Sequence, residues 1–121
     1  MSAIQLFRWQ WGGYTQFHQS RANLVLHIFV VPLFLAANIL FVVALLQAWW
    51  LVAVLSLAAM AVSVALQGRG HAREPVPPEP FTSPLNAVGR IVLEQWVTFP
   101  RFVFSGGWTQ AMRSAATARQ P

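Results

Sequence analysis

One long hydrophobic segment dominates the pattern of this chain. Residues 24–66 are almost entirely apolar, and residues 22–68 contain no Arg, Lys, Asp or Glu. At about 1.5 Å per residue, a single helix of this length would extend about 65 Å, roughly twice the hydrocarbon core of a bilayer. The segment therefore predicts two membrane-spanning helices, over 22–47 and 49–67, joined by a turn where Gln47 meets a pair of tryptophans.

Less hydrophobic segments flank this predicted hairpin. Residues 3–19 mix aromatic residues with glutamines and one Arg, which predicts a helix lying in the headgroup layer. The Pro-rich stretch 68–83 predicts a loop, and helical periodicity returns over 84–105. Two internal charges in 84–105 favour an amphipathic helix lying against the hairpin over a third crossing. With a short tail over 106–121, the pattern predicts one all-α integral membrane domain covering the whole chain.

The few charges are distributed unevenly around the hairpin. The 121 residues carry eight Arg and three Glu, with no Lys, Asp or Cys, and a net charge of +5. Every Arg lies before or after the hairpin and none lies in its turn, so the positive-inside rule places both termini and the histidines in the cytoplasm. Because the Arg residues are scattered, we expect contact with the bilayer and no nucleic-acid partner. Within the last helix, Arg90 and Glu94 stand four residues apart and can pair.

All three histidines are predicted to lie at one membrane face. His18 precedes the first span, His27 lies near its start, and His71 follows the second span. Two crossings return the chain to its starting side, so the three lie together. An unbroken helix would put His18 and His27 on opposite faces, so a shared site requires a bend near Ser20. Glu74 follows His71 closely and is a candidate carboxylate ligand.

These residue types leave several interpretations open. Imidazoles with one carboxylate suit iron(II) that keeps coordination positions open, and three imidazoles also suit zinc. His27 and His71 are placed for a bis-histidine haem. The histidines also fit polar anchors at a membrane interface, which would make this a non-enzymatic membrane protein. Three histidines are too few for the paired boxes of di-iron membrane hydroxylases.

The polar positions also resemble a known family, the membrane 2-hydroxy fatty acid dioxygenases. The resemblance covers about residues 14–105 and rests on two blocks, Tyr14-x3-His18-x4-Asn23-x3-His27-x4-Pro32 and Gln67-x2-Gly70-His71 with Glu74 nearby. It implies an iron(II)-dependent enzyme of fatty-acid α-oxidation, which converts a 2-hydroxy fatty acid into the acid one carbon shorter. It further implies His18, His27 and His71 as iron ligands or catalytic imidazoles, supported by Tyr14, Asn23 and Glu74.

Overall fold

The computed structural model describes residues 1–118, with side chains up to residue 115. The described part is all-helical. The predicted tail holds a helix, and Arg119 lies outside the described residues. The elements, in chain order, are α1 (Ala3–Gly13), α2 (Arg21–Leu46), α3 (Trp50–His71), α4 (Pro84–Leu93), a π-helical segment (Glu94–Thr98), α5 (Phe99–Phe104) and α6 (Gly107–Ala118).

The centre of the fold is the hairpin of α2 and α3, as the sequence predicts. Both helices are long and apolar enough to cross a membrane, and only 28% and 22% of their most hydrophobic windows are buried. Large side chains such as Phe29 and Val54 are exposed along them. A core helix of a soluble protein would bury most of such residues, so this surface suits a lipid environment.

Small residues let the two hairpin helices approach closely. The buried residues of the hairpin include Ala37 and Ala44 of α2 and Ala53 and Ser56 of α3. Near the histidine end, the Ser63 hydroxyl donates to the Val30 carbonyl across the hairpin at 2.6 Å. In an apolar surrounding, such a bond helps to fix the position of one helix against the other.

The hairpin turn is tighter than its sequence suggests. The Trp49 amide donates to the Ala44 carbonyl at 2.8 Å, and the Ala48 amide donates to Leu45 at 3.3 Å. This is the Schellman pattern of helix termination, which usually has glycine in the left-handed position. Here Ala48 takes that position, with φ of 56°.

The C-terminal part wraps around the histidine end of the hairpin. Pro84–Phe104 forms one nearly continuous helix that packs on α1, α2 and α6, and its middle turns form the π-helical segment. The Trp108 indole N–H donates to the Leu24 carbonyl at 2.9 Å, which fastens α6 to the start of α2. The sequence predicts a single helix over 84–105, and the π-helical widening within it changes which side chains face inward.

Candidate metal centre

A sharp change of direction between α1 and α2 brings the first two histidines together. α1 ends at Gly13, six residues before the predicted end at residue 19, and a turn leads to Ser20. The Ser20 hydroxyl caps α2 by accepting from the Asn23 amide at 3.4 Å. The ring centroids of His18 and His27 are then only 5.1 Å apart. The predicted bend near Ser20 is therefore confirmed.

Backbone carbonyl groups fix the tautomers of these two histidines. Nδ1 of His18 lies 2.7 Å from the Tyr14 carbonyl, and Nδ1 of His27 lies 3.0 Å from the Asn23 carbonyl. A carbonyl oxygen only accepts, so each Nδ1 must carry the proton. Each Nε2 is then left with a free lone pair, unless the ring is fully protonated. A backbone-bound ring nitrogen opposite a free one is the usual state of metal-binding histidines.

The last residue of α3 supplies the third imidazole. The ring of His71 lies 4.8 Å from that of His18 and 5.0 Å from that of His27, each pair nearly perpendicular. α3 extends four residues beyond its predicted end at residue 67, which is what carries His71 to this place. Gly70 allows the approach, since a Cβ there would collide with the Asn23 side chain and come within 2.8 Å of Leu26.

The carboxylate of this cluster is Glu94, from the first turn of the π-helical segment. One ligand atom from each of His18, His27, His71 and Glu94 lies within 4.8 Å of all the others. Nε2 of His18 is 3.4 Å from Glu94 Oε2. Burial alone would raise the pKa of Glu94, but the contact with His18 and the charges of the three histidines lower it to about 2. Glu94 is therefore a carboxylate at neutral pH.

The buried nitrogens of the cluster indicate what it can hold. Nε2 of His18, Nε2 of His27 and Nδ1 of His71 are buried and have no hydrogen-bond partner. Buried polar atoms without partners are rare, and here the three rings that carry them cluster with an ionised carboxylate. Ring nitrogens and a carboxylate brought this close together are stabilised by a positive charge among them, which a metal ion or a ring proton supplies. The donor set therefore fits a metal ion, which we call the three-His/Glu94 centre.

Glu74, which the sequence suggests as the carboxylate ligand, is not part of this centre. Its carboxylate accepts hydrogen bonds from the backbone amides of Gln19 at 2.7 Å and Ser20 at 3.0 Å, and from Nδ2 of Asn23 at 2.7 Å. These three donors lie at the start of α2, where the helix dipole also favours an anion. Glu74 thus closes the bend that separates His18 from His27.

Asn23 and Tyr14, the other two predicted supporting residues, both touch the histidines. Asn23 links the Glu74 carboxylate to His27 through its side-chain amide and its backbone carbonyl. The Tyr14 ring stacks on His18 with centroids 3.8 Å apart, and its buried hydroxyl has no hydrogen-bond partner. Burial, with the nearby charge of Glu94, raises the pKa of Tyr14 well above its ordinary value. The phenol therefore keeps its proton.

Sequence reasoning missed Glu94 because it assigned that residue to an ion pair with Arg90. The Arg90 guanidinium instead donates to the carbonyls of Pro80 and Glu79 at 3.1 and 2.9 Å and lies over the Trp9 and Phe81 rings. One feature of the sequence could have indicated that Glu94 is buried. Glu94, Gln95 and Thr98 put three polar residues within five positions of an apolar helix. Gln95 and Thr98 are fully buried.

A cavity of about 760 Å³ borders the three-His/Glu94 centre. It lies between α1, α3, the Pro-rich loop and α4, and its lining includes His18, His71 and Glu94. A pocket of this size accommodates a drug-sized ligand. Comparison with protein-family models, with curated proteins and with solved structures finds no match to this chain. The function is therefore inferred from the chemistry of the site itself.

Proposed function

We propose that this protein is a membrane-embedded, iron(II)-dependent dioxygenase that acts on 2-hydroxy fatty acids. The observation that carries the proposal is the three-His/Glu94 centre, with its three unpartnered ring nitrogens, at the wall of a cavity of about 760 Å³. Imidazoles with a carboxylate are the ligands of ferrous sites that keep positions for oxygen and substrate. The sequence motifs resemble those of a family with this chemistry, which supports the same assignment.

The proposed reaction balances with dioxygen as the only oxidant. One 2-hydroxy acid and one O₂ give the acid one carbon shorter, carbon dioxide and water. The bond between C1 and C2 breaks, the substrate loses four electrons, and O₂ accepts them. Bound iron(II) would supply the site where O₂ is reduced and where the carboxylate and 2-hydroxyl of the substrate chelate.

The cavity offers complementary surfaces for an amphiphilic acid. Aromatic residues, including Trp9, Phe17 and Phe81, provide apolar walls suited to an acyl chain. Arg8 and Arg90 also line the cavity and supply positive charge for a carboxylate. The substrate would thus be oriented with its head toward His18, His71 and Glu94 and its tail along the aromatic walls. Orientation of this kind contributes strongly to catalysis.

A non-haem ion fits the centre better than haem does. A porphyrin coordinated by His27 and His71 needs a broad flat space between the two rings. Those rings are instead 5.0 Å apart, and His18 and Glu94 approach the same point. The four donor groups converge on a space for a single ion, which favours iron(II) or zinc over haem.

We also propose that the three-His/Glu94 centre lies on the cytoplasmic side. Arg21 and Arg69 lie near the ends of the hairpin helices that carry His27 and His71, and the opposite turn has no charge. The positive-inside rule then orients the hairpin. A membrane-impermeant thiol reagent tests this on the cysteine-free chain: in intact cells, Ala48→Cys should be labelled and Ser2→Cys protected. The reverse labelling contradicts the orientation.

The central experiment combines metal analysis with a turnover assay. Detergent-purified protein is loaded anaerobically with iron(II), exposed to oxygen and supplied with 2-hydroxy fatty acids of several chain lengths. We expect near-stoichiometric iron, no Soret band, and one O₂ consumed for each acid formed with one carbon fewer. Unhydroxylated fatty acids of equal length serve as controls.

Three outcomes would contradict parts of the proposal. Iron binding without turnover on any 2-hydroxy acid contradicts the assigned substrate. A Soret band in protein purified from cells indicates the haem alternative. Failure to bind any divalent metal, with a stable fold, supports the alternative of a non-enzymatic membrane protein with structural histidines.

A further inference from the structure

An apolar stripe runs along one side of the long C-terminal helix. Its members are Leu85, Val88, Val92 and Trp96, which are 82%, 58%, 46% and 42% exposed. Their spacing of three, four and four residues keeps them on one helical face. Apart from the contact of Trp96 with α2, the helices described in the structure leave this face exposed, and none of its four members is charged. An uncovered apolar row of this length needs a partner.

The opposite side of the same helix faces α1. At about 100° per residue, Arg90 and Glu94 project away from the apolar stripe. The Arg90 guanidinium lies over the Trp9 ring of α1, and that of Arg101 lies over Phe7 and Trp11 of α1. Both cations of this helix are therefore directed toward α1. Arginines behave in this way when the charged end extends toward the headgroups from a deeper backbone.

A hydrogen bond to α2 relates the depth of the long C-terminal helix in the membrane to that of the hairpin. The Trp96 indole N–H donates to Oδ1 of Asn38 at 3.0 Å. Asn38 is 17 residues beyond Arg21, so it lies about 26 Å along α2 from the charged end. The hydrocarbon core is about 30 Å thick, so Asn38 lies within it, beyond the midplane, if Arg21 stands at the headgroups. Trp96 must then reach into the hydrocarbon as well.

Together, these contacts indicate what covers the apolar stripe. We propose that the helix Pro84–Phe104 is immersed in the leaflet beneath α1, with the apolar stripe in direct contact with lipid acyl chains. It neither lies on the membrane surface nor crosses it. The apolar stripe continues the lipid-facing surface of α2, where Ile39, beside Asn38, is 56% exposed. This inference does not depend on the metal or on the proposed reaction.

The absence of cysteine makes the proposal directly testable. Single variants Leu85→Cys, Val88→Cys and Val92→Cys are spin-labelled and reconstituted in phosphatidylcholine–phosphatidylglycerol vesicles. Collision rates of each label are measured with oxygen, which concentrates in the bilayer, and with water-soluble chromium oxalate. Phe29→Cys and Ile39→Cys on α2 give the lipid reference, and Arg73→Cys in the turn after α3 gives the aqueous reference.

We expect labels on the apolar stripe to match the α2 references, with an oxygen-to-chromium collision ratio several-fold above that of Arg73→Cys. Ratios equal to the aqueous reference would overturn the proposal. Low collision rates with both reagents, or spin–spin broadening, would also overturn it, because the face would then be covered by protein or by a second copy. A variant that misfolds is recognised by its circular dichroism spectrum.

A second measurement needs no cysteine or spin label in the apolar stripe. Fluorescence of the unlabelled protein is quenched with lipids brominated either near the headgroup or deep in the acyl chain. The contribution of Trp96 is obtained by subtracting the Trp96→Phe variant. Stronger quenching of this contribution by the deep bromine is expected, and equal or weaker deep quenching would refute immersion.

Discussion

The two ends of the α2–α3 hairpin differ in what holds them together. At the histidine end, buried polar groups are paired: Asn23 bonds to Glu74, His27 to the Asn23 carbonyl, and Ser63 to the Val30 carbonyl across the hairpin. At the turn end, closure depends on small residues and on the backbone bonds around Ala48. Buried polar groups are costly in an apolar surrounding, so their concentration at one end marks where function constrains the fold.

This contrast predicts that substitutions at the two ends have different consequences. Changes at the histidine end should alter metal binding, with or without an effect on stability. Changes at the turn end should alter stability alone.

Removing a ring of the three-His/Glu94 centre should abolish metal binding. His27→Ala deletes one donor and leaves the other two rings and Glu94 without a complete set. Loss of outer partners of metal ligands typically costs 10- to 100-fold in affinity, so loss of a ligand should exceed about 100-fold. Metal titration of the purified variant measures this. Gln47→Ala, at the turn end, is the matched control and should keep full affinity; if His27→Ala also keeps it, the centre is wrongly assigned.

The two carboxylates should separate into a ligand and a positioning group. Glu94→Gln removes a charged donor, and we expect it to weaken metal binding by more than about 100-fold, as with His27→Ala. Glu74→Gln keeps the shape but loses the charge that holds the amides of Gln19 and Ser20, so we expect a smaller loss of about 10- to 100-fold.

The absorption spectrum of bound cobalt distinguishes the two roles. In Glu74→Gln the ligand set is intact, so the spectrum should keep its form at saturating metal. In Glu94→Gln the intensity and position of the bands should change, because a ligand has been exchanged. An altered spectrum for Glu74→Gln with an unchanged one for Glu94→Gln would reverse our assignment and restore the interpretation from sequence.

A pair of glycines in α3 tests the packing at the histidine end. Gly70→Ala would force its new methyl group into Asn23, and overpacking of this kind typically costs about 1–3 kcal/mol. Asn23 would also shift relative to His27, which should lower metal affinity. Gly68→Ala is the control in the same helix, since a Cβ there meets nothing within 4 Å. It should be neutral or stabilising by up to about 1 kcal/mol, because alanine favours helix. Equal melting temperatures of Gly70→Ala and Gly68→Ala in detergent would contradict the close approach of Gly70 to Asn23.

The hairpin and the three histidines could be predicted because the signals are local or follow from topology. Two apolar helices return the chain to its starting side, which is enough to bring His71 near His18 and His27. Glu94 is different, because it is 23 positions from His71 and its direction is set by a π-helical segment. No local pattern specifies that widening. The proximity of Glu74 to His71 was therefore a misleading guide, since bonds from the start of α2 draw its carboxylate away from the rings.

The smallest predicted effect concerns the turn end. Ala48 has a positive φ of 56°, which costs an L-residue with a Cβ about 1–2 kcal/mol and glycine almost nothing. The lack of a glycine here is also why the turn has no sharp boundary in the sequence. Ala48→Gly should therefore raise stability by about 1 kcal/mol, partly offset by the greater freedom of glycine in the unfolded chain. Thermal unfolding in detergent measures the change, and metal affinity should stay constant. A change in metal affinity would show that the two ends are coupled along the hairpin, which the contrast between them does not allow.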